Sequence, residues 1–182
     1  MSTTFPGTTI ETTSLEKGSS RKIFDGIFAA GGITLSQVSI MTGLEPYMVQ
    51  NWVKRGFVAS PVKRVYSREQ FARIVIINML RESFQIEKIC DLIKTIGGLS
   101  DRAEDMISDD ELYHRYVDMV SDNIINVSDP RSVEVAAENA ISDFEGQNAA
   151  DKKKLSKILQ IMLYAHAASQ ICTLADQLLI SL

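Results

Sequence analysis

The stretch TGLEPYMVQNWVKRGFV, residues 42–58, decides how the surrounding chain folds. Gly43 ends one helical pattern, and Pro46 suits the first turn of the next helix, where its missing backbone N–H loses no partner. At about 100° per residue, this second helix has an apolar face and a polar face. The apolar face holds Val49, Trp52 and Val53. The polar face holds Tyr47, Gln50, Asn51 and Lys54. The pattern predicts a short helix that packs on a core and shows its polar face to solvent or to a partner.

The residues before this helix predict another short helix that meets it at a turn. Thr34 is a candidate N-cap, and apolar residues follow it at helical spacing as far as Gly43. Two short helices that a Thr-Gly turn separates are the outline of a helix-turn-helix. An earlier helix is predicted over residues 20–30, where the pair Gly31-Gly32 ends it.

The residues after the second helix have a β-strand composition. Phe57-Val58 and Val65-Tyr66 are pairs of strand-forming residues, and Ser60-Pro61 between them favours a turn. These features predict a small β-hairpin over residues 57–66. We expect this hairpin to present Lys63 and Arg64 to solvent.

The rest of the chain is predicted to be helical. Ser67 and Gln70 form a capping box that opens an apolar helix to about residue 81, and a further helix follows over 83–96. Ser108 and Pro130 each precede or open another helix. The expected fold class is mainly α, with a small β-hairpin in the first half and a helical bundle in the second.

The last predicted helix, over residues 151–180, carries two apolar stripes. One stripe holds Leu155, Ile158, Met162, Ala165, Ser169 and Cys172. The other holds Ile161, Tyr164, Ala168, Ile171, Ala175 and Leu178. Two stripes imply two packing partners, and one of these could belong to another subunit. The alternative is a central helix that is buried on both sides.

The composition indicates three segments and few cofactor ligands. Residues 1–19 are rich in Thr, Ser and Gly without the pattern of a signal peptide, and are expected to be a disordered leader before segments 20–98 and 99–182. The longest apolar cluster, residues 74–80, is too short for a membrane span, so we expect no membrane partner. Cys90 and Cys172 are expected to be buried reduced thiols, which indicates a cytoplasmic location. We expect no metal site and no cofactor.

The charges divide the chain into a basic front and an acidic rear. The net charge is −4. Residues 21–75 hold eight basic and three acidic side chains, whereas residues 95–182 hold seven basic and fifteen acidic ones. This asymmetry indicates two modules with different partners, although an ordinary solvated surface also explains much of the acidic half.

Residues 33–96 resemble the DNA-binding domain of MerR-type regulators. The resemblance rests on the order of the segments MTG, EPYMVQNWVKRGFV, KRVYS, REQFARIVIINMLRESF and QIEKICDLI. It implies a winged helix-turn-helix head over 20–98, whose wing is the hairpin. The chain departs from that family at Glu45, where serine is usual before the proline, and it lacks the arginines of the family's recognition helix. The helical rear, 99–182, resembles an uncharacterised bacterial family that joins such a head to a helical domain of unknown function.

The resemblance implies a DNA-binding transcriptional regulator that acts as a homodimer through its C-terminal helices. The residues expected to contact bases in the major groove are Tyr47, Gln50, Asn51 and Lys54. The residues expected to contact phosphates are Arg55, Lys63, Arg64 and Tyr66. The alternative for Lys54 and Arg55 is that they belong to an ordinary solvated face and contact no DNA. A small-molecule effector between the C-terminal helices is left open.

Two other classes of function compete with this hypothesis. A protein–protein interaction module built on a winged-helix scaffold would need no DNA. An enzyme is not expected, because the sequence has no phosphate-binding loop, dinucleotide fingerprint, zinc-protease motif or nucleophile elbow. We expect Asp109 and Asp110 to stabilise a helix start, His114 to lie on the surface, and His166 to pack within a helix interface.

Overall fold

The computed structural model describes residues 3–96, 106–121, 125–146 and 149–182. These residues form eight α-helices and two small antiparallel sheets, so the prediction of a mainly helical fold is confirmed. The helices are α1 (Ser19–Phe28), α2 (Leu35–Thr42), α3 (Pro46–Lys54), α4 (Arg68–Leu80), α5 (Ile86–Lys94), α6 (Asp109–Ser121), α7 (Pro130–Ala140) and α8 (Ala149–Ile180). The strands are β1 (Thr3–Thr4), β2 (Glu11–Thr12), β3 (Ile33–Thr34) and β4 (Val65–Tyr66), with β1 paired to β2 and β3 paired to β4.

Helix α4 is the centre of the molecule. It opens with the predicted Ser67–Gln70 capping box, in which each side chain bonds the other residue's backbone N–H. Most of its residues are buried on all sides, as its nearly continuous apolar composition predicts. It packs against α2, α5, α6 and α8. One hydrophobic core therefore includes residues of both the front and the rear segments of the chain.

Ion pairs join α4 to the start of α6. The carboxylate of Asp109 accepts two hydrogen bonds from Arg73, at 2.7 Å from Nε and 3.1 Å from Nη2. The side chains are only 3% and 13% exposed. Asp110 lies 3.6 Å from Nε of Arg68. The acidic residues at the start of α6 thus form ion pairs with arginines of α4. The residues around them in the sequence do not indicate these pairs.

His114 lies in the core and not on the predicted surface. Its Nδ1 shares a 2.9 Å hydrogen bond with the buried Ser20 hydroxyl, and its ring meets Phe24 edge to face. Burial lowers the pKa of His114 to about 4. His166 matches its prediction, because it lies in a helix interface where its Nδ1 is 2.7 Å from the Tyr116 hydroxyl.

The N-terminal segment is packed on the body, in contrast to the disordered leader that its composition predicts. Phe5 is buried in the core, and the carbonyl of Pro6 accepts a 2.9 Å hydrogen bond from Tyr113. The Asn78 amide donates to the carbonyls of Gly7 and Thr42, at 3.0 and 2.9 Å. The segment is mostly polar, but one buried aromatic ring and hydrogen-bonded backbone carbonyls hold it in place.

Gly7 provides a test of this packing. Its φ is +73°, and an added Cβ would lie 2.4 Å from the Val75 carbonyl oxygen. The left-handed conformation alone costs a non-glycine residue roughly 1–2 kcal/mol, and the backbone clash adds to that cost. Gly7→Ala is therefore expected to lower the free energy of unfolding by more than about 2 kcal/mol in urea titrations.

Gly18→Ala is the matched control for this substitution. Gly18 has a similar φ of +77°, but a Cβ there would meet nothing within 4 Å. We expect this control to lose only the conformational part of the free energy. Equal losses for the two variants would show that the N-terminal segment does not pack on α4.

Helix α8 is buried in its first half and projects into solvent in its second half. Every residue from 170 to 182 is exposed, so the alternative of a helix buried on both sides is wrong beyond Ser169. Cys90 is buried as predicted, whereas Cys172 is exposed on this projection. Residues Ala150–Ile180 are long and apolar enough to cross a membrane by length and composition alone, a test that a core helix of a soluble protein also passes. A search for one uninterrupted apolar run misses this segment, because Gln160, His166 and Gln170 divide it into shorter apolar runs.

Candidate nucleic-acid interface

Helices α2 and α3 pack against each other across a tight turn. The Thr34 side chain caps α2 as predicted, and Gly43 ends it with a φ of +71°. Pro46 is in the first turn of α3, while Glu45 at the N-cap makes no side-chain capping bond. Val49 and Trp52 are buried in the core. These contacts fix which face of α3 points outward.

The outward face of α3 carries the four predicted base-contacting residues. Tyr47, Gln50, Asn51 and Lys54 are all exposed, and Tyr47 is 68% exposed. Their side chains make no hydrogen bond or ion pair with another residue in the described part of the chain. The spacing therefore brings together one polar surface that is free to meet a partner.

A basic two-residue turn forms the tip of the hairpin that follows α3 along the chain. Val62 and Val65 exchange two backbone hydrogen bonds, of 3.2 and 3.0 Å, across Lys63 and Arg64. Both turn residues are exposed, and their φ angles are +51° and +65°. Positive φ at both central positions is typical of a type I′ turn, which usually contains Asn and Gly. The basic tip is therefore held in a strained backbone conformation.

The hairpin differs from the predicted one in its pairing. Val65 and Tyr66 pair with Thr34 and Ile33 of β3, and not with residues 57–58. The chain after α3 instead turns back, and the amides of Phe57 and Val58 both donate to the Trp52 carbonyl. The Gln70 side chain anchors the loop by donating to the carbonyls of Ala59 and Ser60, at 3.1 and 3.0 Å.

Two of the predicted phosphate-contacting residues have other partners. Tyr66 is 3% exposed and lies in the core beside Ile33, so its phenol is removed from the predicted surface. Burial raises the pKa of that phenol. Arg55 is exposed, but its Nη2 lies 2.5 Å from Glu87 of α5, and its guanidinium stacks 4.5 Å from the Phe57 ring. Sequence reasoning missed the Arg55–Glu87 pair, because no local spacing links residues 32 positions apart.

Elsewhere in the described part of the chain, a groove lies between α7 and α8. It has a volume of about 630 Å³ and is lined by side chains of both charges, including Glu138, Lys153 and Lys157. No group of three or more His, Cys, Asp or Glu side chains lies close enough to hold a metal ion within those same residues.

The comparisons with known proteins identify one domain. The family model of a domain of unknown function, DUF1836, matches residues 33–116. The matched range runs from β3 through most of α6 and contains the α2–α3 pair and the basic hairpin. No MerR or other helix-turn-helix family matches, and no curated protein or solved structure matches the chain. The chain therefore contains a DUF1836 domain over residues 33–116, consistent with an uncharacterised family.

Proposed function

We propose that this protein is a sequence-specific DNA-binding transcriptional regulator with a winged helix-turn-helix. Helix α3 would enter the major groove, and the hairpin tip would be the wing that holds the phosphate backbone. The observation that carries the proposal is the exposed polar face of α3, which Val49 and Trp52 anchor from behind. A basic, solvent-facing tip on the same domain supports it.

The side chains of α3 have the chemistry to read bases. Gln50 and Asn51 can each form paired hydrogen bonds with an adenine edge, and Lys54 can reach guanine or a phosphate. The Tyr47 ring can pack on a thymine methyl group. Each good bidentate contact discriminates between bases by about 1–3 kcal/mol. A single head discriminates weakly on so few contacts, so we expect two copies on two half-sites.

The basic side chains would supply the affinity that does not depend on sequence. Lys63 and Arg64 are free at the tip, whereas Arg55 must exchange Glu87 for a phosphate. That exchange is inexpensive, because both side chains are about half exposed and surface ion pairs contribute roughly 0–1 kcal/mol. Glu45, at the start of α3, opposes binding through its negative charge.

Two substitutions test the assignment of roles. Arg64→Ala is expected to weaken binding to all duplexes alike, because a phosphate contact carries no sequence information, and to reduce the salt slope by roughly one log unit per log unit of salt. Asn51→Ala is expected to change the preferred base at one position of each half-site. Both are measured by fluorescence anisotropy after a selection from random duplex DNA. If both variants bind as the wild type does, the assigned surface does not contact DNA.

A protein–protein interaction module is the second candidate, and one observation favours it. Three large apolar side chains of the domain, Ile40, Tyr47 and Val62, are each more than two thirds exposed. Such residues suit a protein partner better than a phosphate backbone. This candidate requires that binding to DNA be absent at every salt concentration. A polypeptide partner should then be lost on Ile40→Asp and Val62→Asp.

The effector that the sequence left open has a candidate place in the α7–α8 groove. A volume of about 630 Å³ lies within the range of small-molecule sites. Charged side chains of both signs along it suit a small zwitterionic molecule better than an apolar one.

A further inference from the structure

Helix α8 changes the side on which it is apolar. In its first half, the side that faces the body is apolar and buried, with Leu155, Leu159 and Met162 in the core. At about 100° per residue, the same side continues through Ser169, Thr173 and Asp176, which are polar. The body-facing side thus becomes polar at the point where the body ends.

The opposite side of α8 shows the reverse change. Its first half carries Lys153, Lys157 and Gln160. From Tyr164 onward it becomes an apolar stripe, which we call the outer stripe: Tyr164, Ala168, Ile171, Leu174, Ala175, Leu178 and Leu182. Ile171 is 60% and Leu178 is 71% exposed. The outer stripe is roughly 28 Å long at 1.5 Å per residue. It is therefore a continuous apolar surface of its own, and not a few core residues that are partly exposed at the edge.

A membrane does not fit this pattern. A span over Ala150–Ile180 would have to pull Leu155, Leu159 and Met162 out of the core. Helices that lie on a membrane surface carry Lys and Arg on their polar face, and no Lys or Arg follows Lys157.

We infer that the outer stripe packs antiparallel against the same stripe of a second copy of this chain. The flanks of the stripe carry Gln170 and Cys172, and Asp176 lies further round, on the polar side of the helix, so two identical helices meet no like charges along the stripe. Charged flanks are what usually select a different partner or prevent self-pairing. The neutral flanks therefore fit a second copy better than a charged partner.

The lysines on the first half of α8 decide the direction of the pair. In a parallel pair, Lys153 and Lys157 of the two copies would face each other along the same line as the stripe, and like charges would repel. In an antiparallel pair centred near residue 173, the lysines of the two copies lie at opposite ends of the pair and do not face each other. The same register sets Ile171 opposite Ala175 and Ala168 opposite Leu178, so large side chains face small ones.

This pairing is argued from α8 alone and does not rest on DNA binding. If the proposed function also holds, the pair carries its two α3 helices at opposite ends of the joined helices. Two half-sites would then be read together. The monomer would keep a weak, salt-dependent affinity for a single half-site, which separates a failure of the pairing from a failure of DNA binding.

Light scattering of the full chain tests the pairing. The protomer has a mass of 20.2 kDa, and we expect twice that mass at micromolar concentration. The double variant Ile171→Asp, Leu178→Asp is expected to run as a monomer with unchanged circular dichroism, because both residues are exposed. Ile180→Asp is the control, since Ile180 is 85% exposed on the opposite side of the helix and should leave the dimer intact. A monomeric wild type, or a dimer that survives the double variant, would overturn the inference.

Cysteine cross-linking tests the direction of the pair. In a Cys172→Ser background, a mixture of Ala168→Cys and Leu178→Cys chains is expected to form a disulfide-linked dimer on mild oxidation. Leu178→Cys alone is expected to form almost none, because its sulfurs would be about 15 Å apart along an antiparallel pair. Efficient cross-linking of Leu178→Cys to itself would show a parallel pair and overturn the antiparallel arrangement. Flotation of the wild-type chain with neutral lipid vesicles would instead assign the outer stripe to a membrane.

Discussion

Replacing Asp109 by alanine is expected to lower the free energy of unfolding by about 3–5 kcal/mol. Asp109 is the partner of Arg73, which lies in the middle of α4 with a side chain only 3% exposed. Among the residues that the structure describes, its Nη1 has no hydrogen-bond partner. Without the carboxylate, the whole guanidinium is left as an uncompensated charge in the core, and burial of an unpaired charge is among the largest costs in folding.

Two controls separate this effect from the loss of any ion pair. Glu134→Ala removes the partner of Arg131 in a pair whose side chains are 72% and 46% exposed, and we expect a change below about 1 kcal/mol. The double variant Arg73→Met, Asp109→Leu removes both charges together and should recover most of the stability. Urea unfolding at pH 7 measures all three. A small loss for Asp109→Ala would mean that water reaches Arg73.

The local parts of the fold could be predicted from the sequence because their causes are local. Thr34 and Ser67 start helices through bonds to residues three positions later, and Pro46 favours a first turn wherever it lies. The polar face of α3 follows from helical spacing alone. Four predicted base-contacting residues therefore lie together on one exposed surface.

The parts that depend on distant partners could not be predicted. Nothing near Val65 and Tyr66 indicates that they pair with β3, and that pairing is what buries the Tyr66 phenol. His114 was predicted to lie on the surface, yet α1 covers it with Ser20 and Phe24. Arg55 was predicted to be available for a phosphate, but the fold places Glu87 of α5 beside it.

Helix α8 shows the same limit in a different form. Its periodicity predicted two apolar stripes, but which stripe is exposed depends on where the body ends along the helix. That point is set by the contact of Ser83 with the Ala165 carbonyl and of Tyr116 with His166. Both contacts join residues 50 or more positions apart, so no local pattern reveals them.

Changing the hairpin tip to Lys63→Asn, Arg64→Gly is expected to raise stability while it lowers DNA affinity. Both wild-type residues have positive φ, which costs a non-glycine residue roughly 1–2 kcal/mol, whereas Asn-Gly suits a type I′ turn. The free energy of unfolding should therefore rise by about 1–2 kcal/mol. Hydrogen bonds to charged groups contribute about 1.5–3 kcal/mol each, so the loss of two phosphate contacts should lower affinity by roughly two to four orders of magnitude at low salt.

The variant Lys63→Ala, Arg64→Ala distinguishes charge from backbone strain. Alanine lacks the basic group but is as poorly suited to positive φ as lysine or arginine. We expect it to lose the same affinity as the Asn-Gly variant and to gain no stability. Thermal unfolding and anisotropy titrations compare the wild type with the two double variants. Only the Asn-Gly variant is expected to gain stability while it loses DNA affinity. Such a result would show that the strained tip is retained for its charge, because a turn selected for folding would already contain Asn-Gly. If both variants bind DNA with wild-type affinity, the hairpin tip does not contact DNA.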